Sequence, residues 1–429
     1  MFKIQDLRQN LTSGILVSFI ALPLCIAISI ASGFPVLAGI ITAIIGGIIV
    51  SQISGSYVTI NGPAAGMIVV IMESVRSLGG DDLIMGYKLT LGAILVASIM
   101  QVVFSFTKLP ELMRKFPEIV IRGMMTAIGL IVILKQIFTM FGYKIPKEGM
   151  IKLITDVPFA LLGAQYETIF IGIFTIVLIL VWNKKLIKIK YLKSIPVYLV
   201  AILAGSLLAY LLNIEQNKHF VMQCLSVSPS SLFLKLPDSF TQAFSLPMFS
   251  KLDWHFTLAV ITIFAVGSLE TILSAIATEK LDPLKRKTNL KKDLRAVGFG
   301  NAICGAIGGL PMIAEIVRSS ANIKYGATNK WSNFFHGLSL LILTCICGSV
   351  LQFVPLCVLA AMLILIGYNL INFPLLFSLY KESKFNIVII ASVVFFTLYI
   401  DLLIGIGSGF VLHYAYGKIL KYSKKYYLC

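Results

Sequence analysis

Ser54-Gly55-Ser56-Tyr57-Val58-Thr59-Ile60-Asn61-Gly62-Pro63-Ala64-Ala65-Gly66 and Gly305-Ala306-Ile307-Gly308-Gly309-Leu310-Pro311-Met312-Ile313-Ala314-Glu315 are the two stretches that decide the fold of this 429-residue chain. Each interrupts a long apolar region with a short β-like run or a glycine cluster, then a proline, then small residues that open a helix. Proline in a first helical turn gives up no N–H that the helix needs. A helix starting at Pro63 or Pro311 therefore turns its next free N–H groups, with a partial positive charge of about half a unit, into the gap. Two such ends at corresponding places in two halves of a chain point to a transporter site at the membrane midplane, an anion cradle that needs no lysine.

The surrounding sequence supplies the membrane. Hydrophobic residues make up 58% of the chain, charged residues 13%, and the mean hydropathy is +0.92. Soluble domains run near 45–50% apolar and about 25% charged. Apolar runs near the roughly 20-residue length of a bilayer span recur at Ile15–Ser32, Leu37–Ile53, Met85–Phe106, Ile169–Trp182 and Ile387–Ile400. The pattern predicts an all-α polytopic membrane protein of about fourteen segments, near 13–32, 36–53, 63–77, 84–106, 117–141, 167–183, 196–213, 255–279, 294–309, 312–323, 333–351, 355–373, 385–400 and 402–420. The two interrupted stretches open the third and tenth. This predicts two inverted seven-segment repeats, 1–213 and 255–429, joined by an extracytoplasmic loop over 214–254, with short β-like stretches before broken helices three and ten.

The net charge of +17 does not indicate nucleic acid, because Lys and Arg sit between apolar runs and not on an aromatic-studded polar face. With a cytoplasmic N-terminus, 26 of the 36 Lys and Arg fall inside, and nine fall outside, Lys135 among them. Arg318 is placed within the membrane. That asymmetry follows the positive-inside rule and puts both termini in the cytoplasm of a cell inner membrane. The N-terminal span carries no evident cleavage site, and Lys418 to Lys425 reads as a short basic tail. The seven cysteines form no CxxC pair, with Cys25, Cys304, Cys345, Cys347 and Cys357 in or beside spans and Cys224 and Cys429 outside them. Neither a disulfide framework nor a zinc centre is expected. His219, His255, His336 and His413 form no cluster, and no serine stands in a nucleophile-elbow context, so no enzyme and no cofactor is expected.

Intramembrane charges nominate functional residues. Glu270 lies deep in segment eight, where a carboxylate costs at least about 2.5 kcal/mol. Gly267, Glu270 and Ser274 share a helix face, so Glu270 could hold sodium with Ser274 or take up a proton. Glu315 and Arg318 follow Pro311 one turn apart, with Ser319 on the face of Glu315. Arg318 could attract an anion or pair with Glu315, and sequence leaves both open. Glu73 and Asp401 read as interfacial.

At these residues the chain resembles the sulfate permease (SulP) family of anion transporters. The resemblance rests on Ala21-Leu22-Pro23 with Ala31-Ser32-Gly33, Asn61-Gly62-Pro63-Ala64-Ala65, Phe116-Pro117 with Arg122-Gly123, Gly267 with Glu270, and above all on the string from Gly308 through Asn322 with Gly326-Ala327. That string is similar to the family pattern G-G-x-P-x-T-G-x-x-x-R-[ST]-x-x-N. The resemblance implies fourteen segments in two inverted repeats, a core domain moving against a gate domain, and usually a dimer. It places the anion between half-helices three and ten, walled here by Pro23, Leu24, Gly62, Pro63, Ala64, Ala65, Ile313, Ala314, Glu315 and Arg318. It implies a sodium site at Glu270 and Ser274.

Three features depart from the family pattern. Leu24 stands where many relatives have a polar residue, Ile313-Ala314 replaces Thr-Gly, and the reading expects no cytoplasmic regulatory (STAS) domain after the last span. The expected function is secondary active transport of a small inorganic oxyanion, bicarbonate or sulfate, by alternating access coupled to Na⁺ or H⁺. The alternatives are a nucleobase permease of the same architecture, or a passive anion channel.

Overall fold

The computed structural model describes residues 4–143, 150–184, 195–212, 214, 232–234, 244–250, 252–400 and 402–426. Most of the expected loop over 214–254, Asp401, Cys224, Cys429 and His219 lie outside the described residues. Within them a helix falls on every predicted segment. In chain order these are α1 (Ile4–Ala31), α2 (Ala38–Ile53), α3 (Ile68–Gly79), α4 (Leu83–Ser105), α5 (Glu118–Met140), α6 (Tyr166–Lys184), α7 (Val197–Leu211), α8 (Trp254–Leu281), α9 (Leu290–Ile307), α10 (Ile316–Lys324), α11 (Trp331–Leu351), α12 (Leu356–Ile371), α13 (Lys384–Tyr399) and α14 (Leu402–Tyr426). Helices Leu109–Lys115, Met150–Leu162 and Phe373–Glu382 connect them, the first meeting α5 at 91°. The molecule is thus a helical, multi-pass membrane protein; among the described residues α1, α4, α6 and α8, and α12 taken together with Phe373–Glu382, are long and apolar enough to cross a bilayer.

Local chemistry sets the helix ends. The side chains of Asp82, Asp253, Asn289 and Ser383 accept from free N–H groups at the starts of α4, α8, α9 and α13. Pro117, Pro196 and Pro355 immediately precede α5, α7 and α12. Gly308, at φ 103°, ends α9 in the left-handed region where a residue with a Cβ is strained.

The helices sort into two packed groups. In the first, α1 lies on α11, α4 on α9, and α8 on both α3 and α4. In the second, α5 packs on α12 and α13, α13 on α14, and α6 on α7 and α12. Lipid gives helices no hydrophobic reason to associate, so contacts rest on close approach of small residues. A carbon added to Gly129 of α5 would lie 2.6 Å from the Gly367 carbonyl oxygen of α12, and one added to Gly14 of α1 would lie 2.6 Å from the Ser332 carbonyl oxygen of α11.

Between the halves of the chain runs one antiparallel pair of strands, β1 (Ile60–Pro63) and β2 (Met312–Glu315). Ile60 faces Glu315, Asn61 faces Ala314, Gly62 faces Ile313 and Pro63 faces Met312. The β-like stretches predicted before the broken helices are therefore real, and they pair with each other. Both helices start later than the prolines suggested. Pro63 is the last residue of β1 and Pro311 precedes β2, so neither occupies a first helical turn. Strand pairing accounts for the shift: residues at membrane depth need internal backbone partners, and the extended stretches are held by the pair and by side chains that flank it.

Candidate functional site

The strand pair fixes where the broken helices begin. After β1 the chain passes Ala64, extended at φ −111° and ψ 143°, makes a tight turn at Ala65–Met67 and enters α3. After β2 it enters α10 directly. Because the strands are antiparallel, the chain leaves them in opposite directions on its way to α3 and α10, from strand ends about 10 Å apart at 3.4 Å per residue.

Buried polar side chains brace this pair. Pro63 has no N–H to offer Met312 across the ladder, and Asn301 of α9 substitutes for it. Its amide accepts from the Met312 N–H at 2.6 Å and donates to the Met312 carbonyl at 3.2 Å and to Gln101 at 2.9 Å. At the other end Ser319 accepts from the Ile60 N–H at 2.9 Å, and Asn322 donates to the Val58 carbonyl at 2.8 Å. Thr42 donates to the Leu310 carbonyl at 2.9 Å. Ser319 and Asn322 of the motif string thus hold β1 in place from α10.

Arg318 is fully buried. Its backbone N–H donates to the Glu315 carboxylate at 2.8 Å, while its guanidinium reaches away and donates from Nη2 to the Pro63 carbonyl at 3.3 Å. Nε and Nη1 have no hydrogen-bond partner. A carbon added to Gly62 would lie 2.5 Å from Nη1, so the guanidinium packs directly on this glycine and would have to shift for any larger residue. Of the alternatives left open by sequence, the ion pair is not formed among the described residues: Glu315 caps α10 as its N-terminal residue. It follows that the start of α10 is already occupied by a carboxylate of its own chain, whereas the start of α3 carries no side-chain cap.

Glu270, 1% exposed, comes to that uncapped start from α8. A carbon on Gly66 would overlap its carboxylate, at 1.8 Å from Oε1 and 2.7 Å from Oε2. Neither oxygen has a hydrogen-bond partner. Ser274, one turn on, is buried, and its carbonyl accepts from Thr278 at 2.8 Å. The segment from Gly62 to Gly66 therefore lies between a buried guanidinium with unused donors and a buried carboxylate with unused acceptors. Such a place can receive an anion on one side and a cation on the other.

The remaining predicted wall residues are present but apolar. Leu24, Ala64, Ala65, Ile313 and Ala314 are all buried, and Pro23 lies inside α1, which packs on β1. Sequence reading passed over Gly66, Asn301 and Cys25, whose thiol lies beside the Arg318 guanidinium. Gly66 stood in the quoted stretch, but nothing in the chain announces that Glu270 packs on it. Both amide atoms of the fully buried Asn61 on β1 are also unpartnered. Among the described residues no group of three His, Cys, Asp or Glu side chains could hold a metal.

Residues 7–393 match the model of the sulfate permease family. The chain is 26% identical over 424 residues to the candidate sulfate transporter YvdB of Bacillus subtilis (strain 168), covering 97% of this chain and 74% of that one. It is 24% identical over 408 residues to the bicarbonate transporter BicA of Picosynechococcus sp. (strain ATCC 27264 / PCC 7002 / PR-6), covering 94% and 69%. Among solved structures, the transmembrane domain of a cyanobacterial bicarbonate transporter BicA superposes with a TM-score of 0.77 at 23% identity, over 95% of this chain and 98% of that one. The murine Slc26a9 anion transporter gives 0.78 at 15% identity, over 98% and 70%.

Proposed function

The chain belongs to the sulfate permease family, and from that premise we propose that it carries a small inorganic oxyanion, bicarbonate or sulfate, by alternating access coupled to Na⁺ or H⁺. The observation behind this reading is the pair of buried opposite charges at the start of α3, neither in an ion pair among the described residues: Arg318 against Gly62 and Pro63 with Nε and Nη1 unused, and Glu270 against Gly66 with both oxygens unused. The anion takes donors from Arg318 and from the free N–H groups that open α3. The coupling cation, Na⁺ held with Ser274 or a proton, neutralises Glu270. A fully charged site is costly to desolvate; loading both ions together lowers that cost and couples their movement.

Fourteen crossings in two inverted repeats accord with the packing. Exchanging the halves turns the α1–α11 contact into the α8–α4 contact and β1 into β2, and both contacts are present. The charge asymmetry supports both termini lying in the cytoplasm.

The test is uptake of labelled bicarbonate and of labelled sulfate into proteoliposomes, with and without a sodium or proton gradient. One of the two should accumulate only with a gradient, and Glu270→Gln should abolish that dependence. Uptake of neither anion by the wild-type protein refutes the function, and unchanged coupling in Glu270→Gln refutes the role of that residue.

A further inference from the structure

His336 of α11 is fully buried, and neither nitrogen of its ring has a hydrogen-bond partner among the described residues. Close contacts at three glycines fix where it lies. A carbon added to Gly14 of α1 would lie 2.8 Å from the His336 backbone nitrogen, and one added to Gly47 of α2 would lie 2.6 Å from that of Gly337. One added to Gly46 of α2 would lie 3.1 Å from Cβ of Asn61 on β1. Asn333, three residues before His336 and so beside it on α11, donates to the Gly46 carbonyl at 3.5 Å. The imidazole therefore enters the space that α1, α2 and α11 enclose against β1, with Asn333 and Asn61 around it. The backbone of α2 widens there into a π turn over Gly46–Val50, a distortion frequent at functional sites.

The other unpartnered atoms of this pocket suit a ring that carries two protons. They are Oδ1 and Nδ2 of Asn61 and Oδ1 of Asn333, on residues at most 1% exposed. A neutral imidazole has one donor and one acceptor, an imidazolium has two donors, and the two amide oxygens are two acceptors. Buried polar groups left unpaired cost free energy, so a phenyl ring would serve packing better. A histidine kept inside a membrane bundle at that cost marks proton traffic by default. Hydrogen-bonded side chains lead to it from the half-exposed Thr328. Asn10 donates to Thr328 at 2.8 Å, Ser332 to the Asn329 carbonyl at 3.0 Å, and Asn322 to Ser332 at 2.8 Å.

The charges around the pocket are few. Helix α11 packs on α1 and α2. Neither α2 nor β1 carries a titratable side chain, and α1 carries Asp6, Arg8 and Cys25. Helix α10 is tied to α11 by the Asn322–Ser332 bond and carries Glu315, Arg318 and Lys324. Of the charged groups among these, Arg318 alone is buried. Its guanidinium rests on Gly62, the residue after Asn61, and Arg318 and His336 each lie one turn inward from the Asn322–Ser332 bond. Two cations placed so repel each other until an anion sits on Arg318, which then favours a charged ring.

We propose that His336 is a proton-binding site that adjusts how tightly the transport site holds its anion. With an anion on Arg318, the ring takes a proton from water onto its bare nitrogen and donates to Asn61 Oδ1 and Asn333 Oδ1. The inference rests on the transport reading above. Linkage is reciprocal, so the protonated ring tightens anion binding in turn. The proton enters and leaves along the same polar side chains, so coupling to the gradient stays with Glu270.

The experiment uses the full-length protein in detergent, labelled with ¹⁵N-histidine, and sulfate or bicarbonate, whichever the wild type takes up. Nuclear magnetic resonance reads the ring nitrogens of the four histidines. His336→Gln identifies the His336 signals by their loss; if it does not fold, His219→Gln, His255→Gln and His413→Gln identify them by elimination. At about pH 6 the His336 ring should carry two protons with excess anion and one with gluconate in its place. Affinity is read separately, as the anion concentration that half-saturates thermal stabilisation. In Glu270→Gln, where that carboxyl no longer titrates, it should be about tenfold tighter at about pH 6 than at about pH 8. Adding His336→Gln should bring the two within about twofold, and adding Asn333→Leu should shrink the ratio in the same direction. A ring that keeps one proton at about pH 5 with excess anion overturns the site alone, as does a ratio that His336→Gln leaves unchanged. A wild type that moves neither anion removes the transport reading itself, and this site with it.

Discussion

Replacing Gly66 by alanine tests the junction of α3 and Glu270 directly. The new methyl carbon would lie 1.8 Å from Oε1, 2.5 Å from Cδ and 2.7 Å from Oε2 of Glu270. Non-bonded heavy atoms settle at about 3.5–4.0 Å, so the carboxylate has to retreat by about 1.5 Å. What it retreats with is the free end of a flexible side chain, not backbone. The stability cost should therefore lie at the low end of the overpacking range, about 1 kcal/mol, and the protein should still purify and fold. A displacement of that size in a group that holds a substrate is worth about 10²-fold in rate. Gly267→Ala is the control, since the nearest atoms to its added carbon would be Gln101 Nε2 at 3.2 Å, Met67 Cε at 3.7 Å and Met67 Sδ at 4.0 Å, with no atom of Glu270 among them. Uptake by Gly66→Ala should fall about 10²-fold with loss of its cation dependence, while Gly267→Ala keeps both. Wild-type rate and coupling in Gly66→Ala would refute the placement of Glu270 against the start of α3.

Two further predictions concern the frame around the site. Asn301→Ala removes the amide that replaces the donor missing from Pro63, leaving the Met312 N–H and carbonyl buried without that partner; each orphaned group costs about 1–3 kcal/mol. Its melting temperature in detergent should drop, and a melting curve superimposable on wild type would show that the amide does not hold β2. Asp282, which ends α8, is pushed up by burial but held overall below the usual carboxylate range by hydrogen bonds from the Arg286 guanidinium and the Leu284 N–H. A carboxyl depressed in the folded state contributes stability that is complete above its unfolded value of about 3.9 and is lost as pH falls through the lower folded value. The stability difference between wild type and Asp282→Asn should therefore be flat from pH 7 to about 5 and vanish only below about 4; a difference that changes between pH 5 and 7 would contradict the assignment.

Much of the architecture was legible because membrane insertion writes it in one dimension. Each span must be an apolar run and each break must carry glycine and proline, so the segments and both interruptions could be read along the chain. Glu270 and Arg318 could be read for a related reason: a charge inside an apolar run is conspicuous. The helix starts at Pro63 and Pro311 were misplaced because a strand of four residues is stabilised only by its partner, and β1 and β2 are about 250 residues apart in sequence. Lys135, which lies buried within α5, was set outside because counting assigns a lysine to the nearer loop, while burial depends on which neighbours cover it.

The sequence by itself determined that the chain is a membrane protein with two matched interruptions and three intramembrane charges, Glu270, Glu315 and Arg318. Only the tertiary structure decided which charge meets which backbone. It capped α10 with Glu315, turned the Arg318 guanidinium to Pro63, and set Glu270 on Gly66 at the one broken-helix start left uncapped. The physical reason is that hydropathy and helix breaks are properties of consecutive residues. The partner of a buried charge is fixed by what remains nearby once every backbone group at that depth has been satisfied.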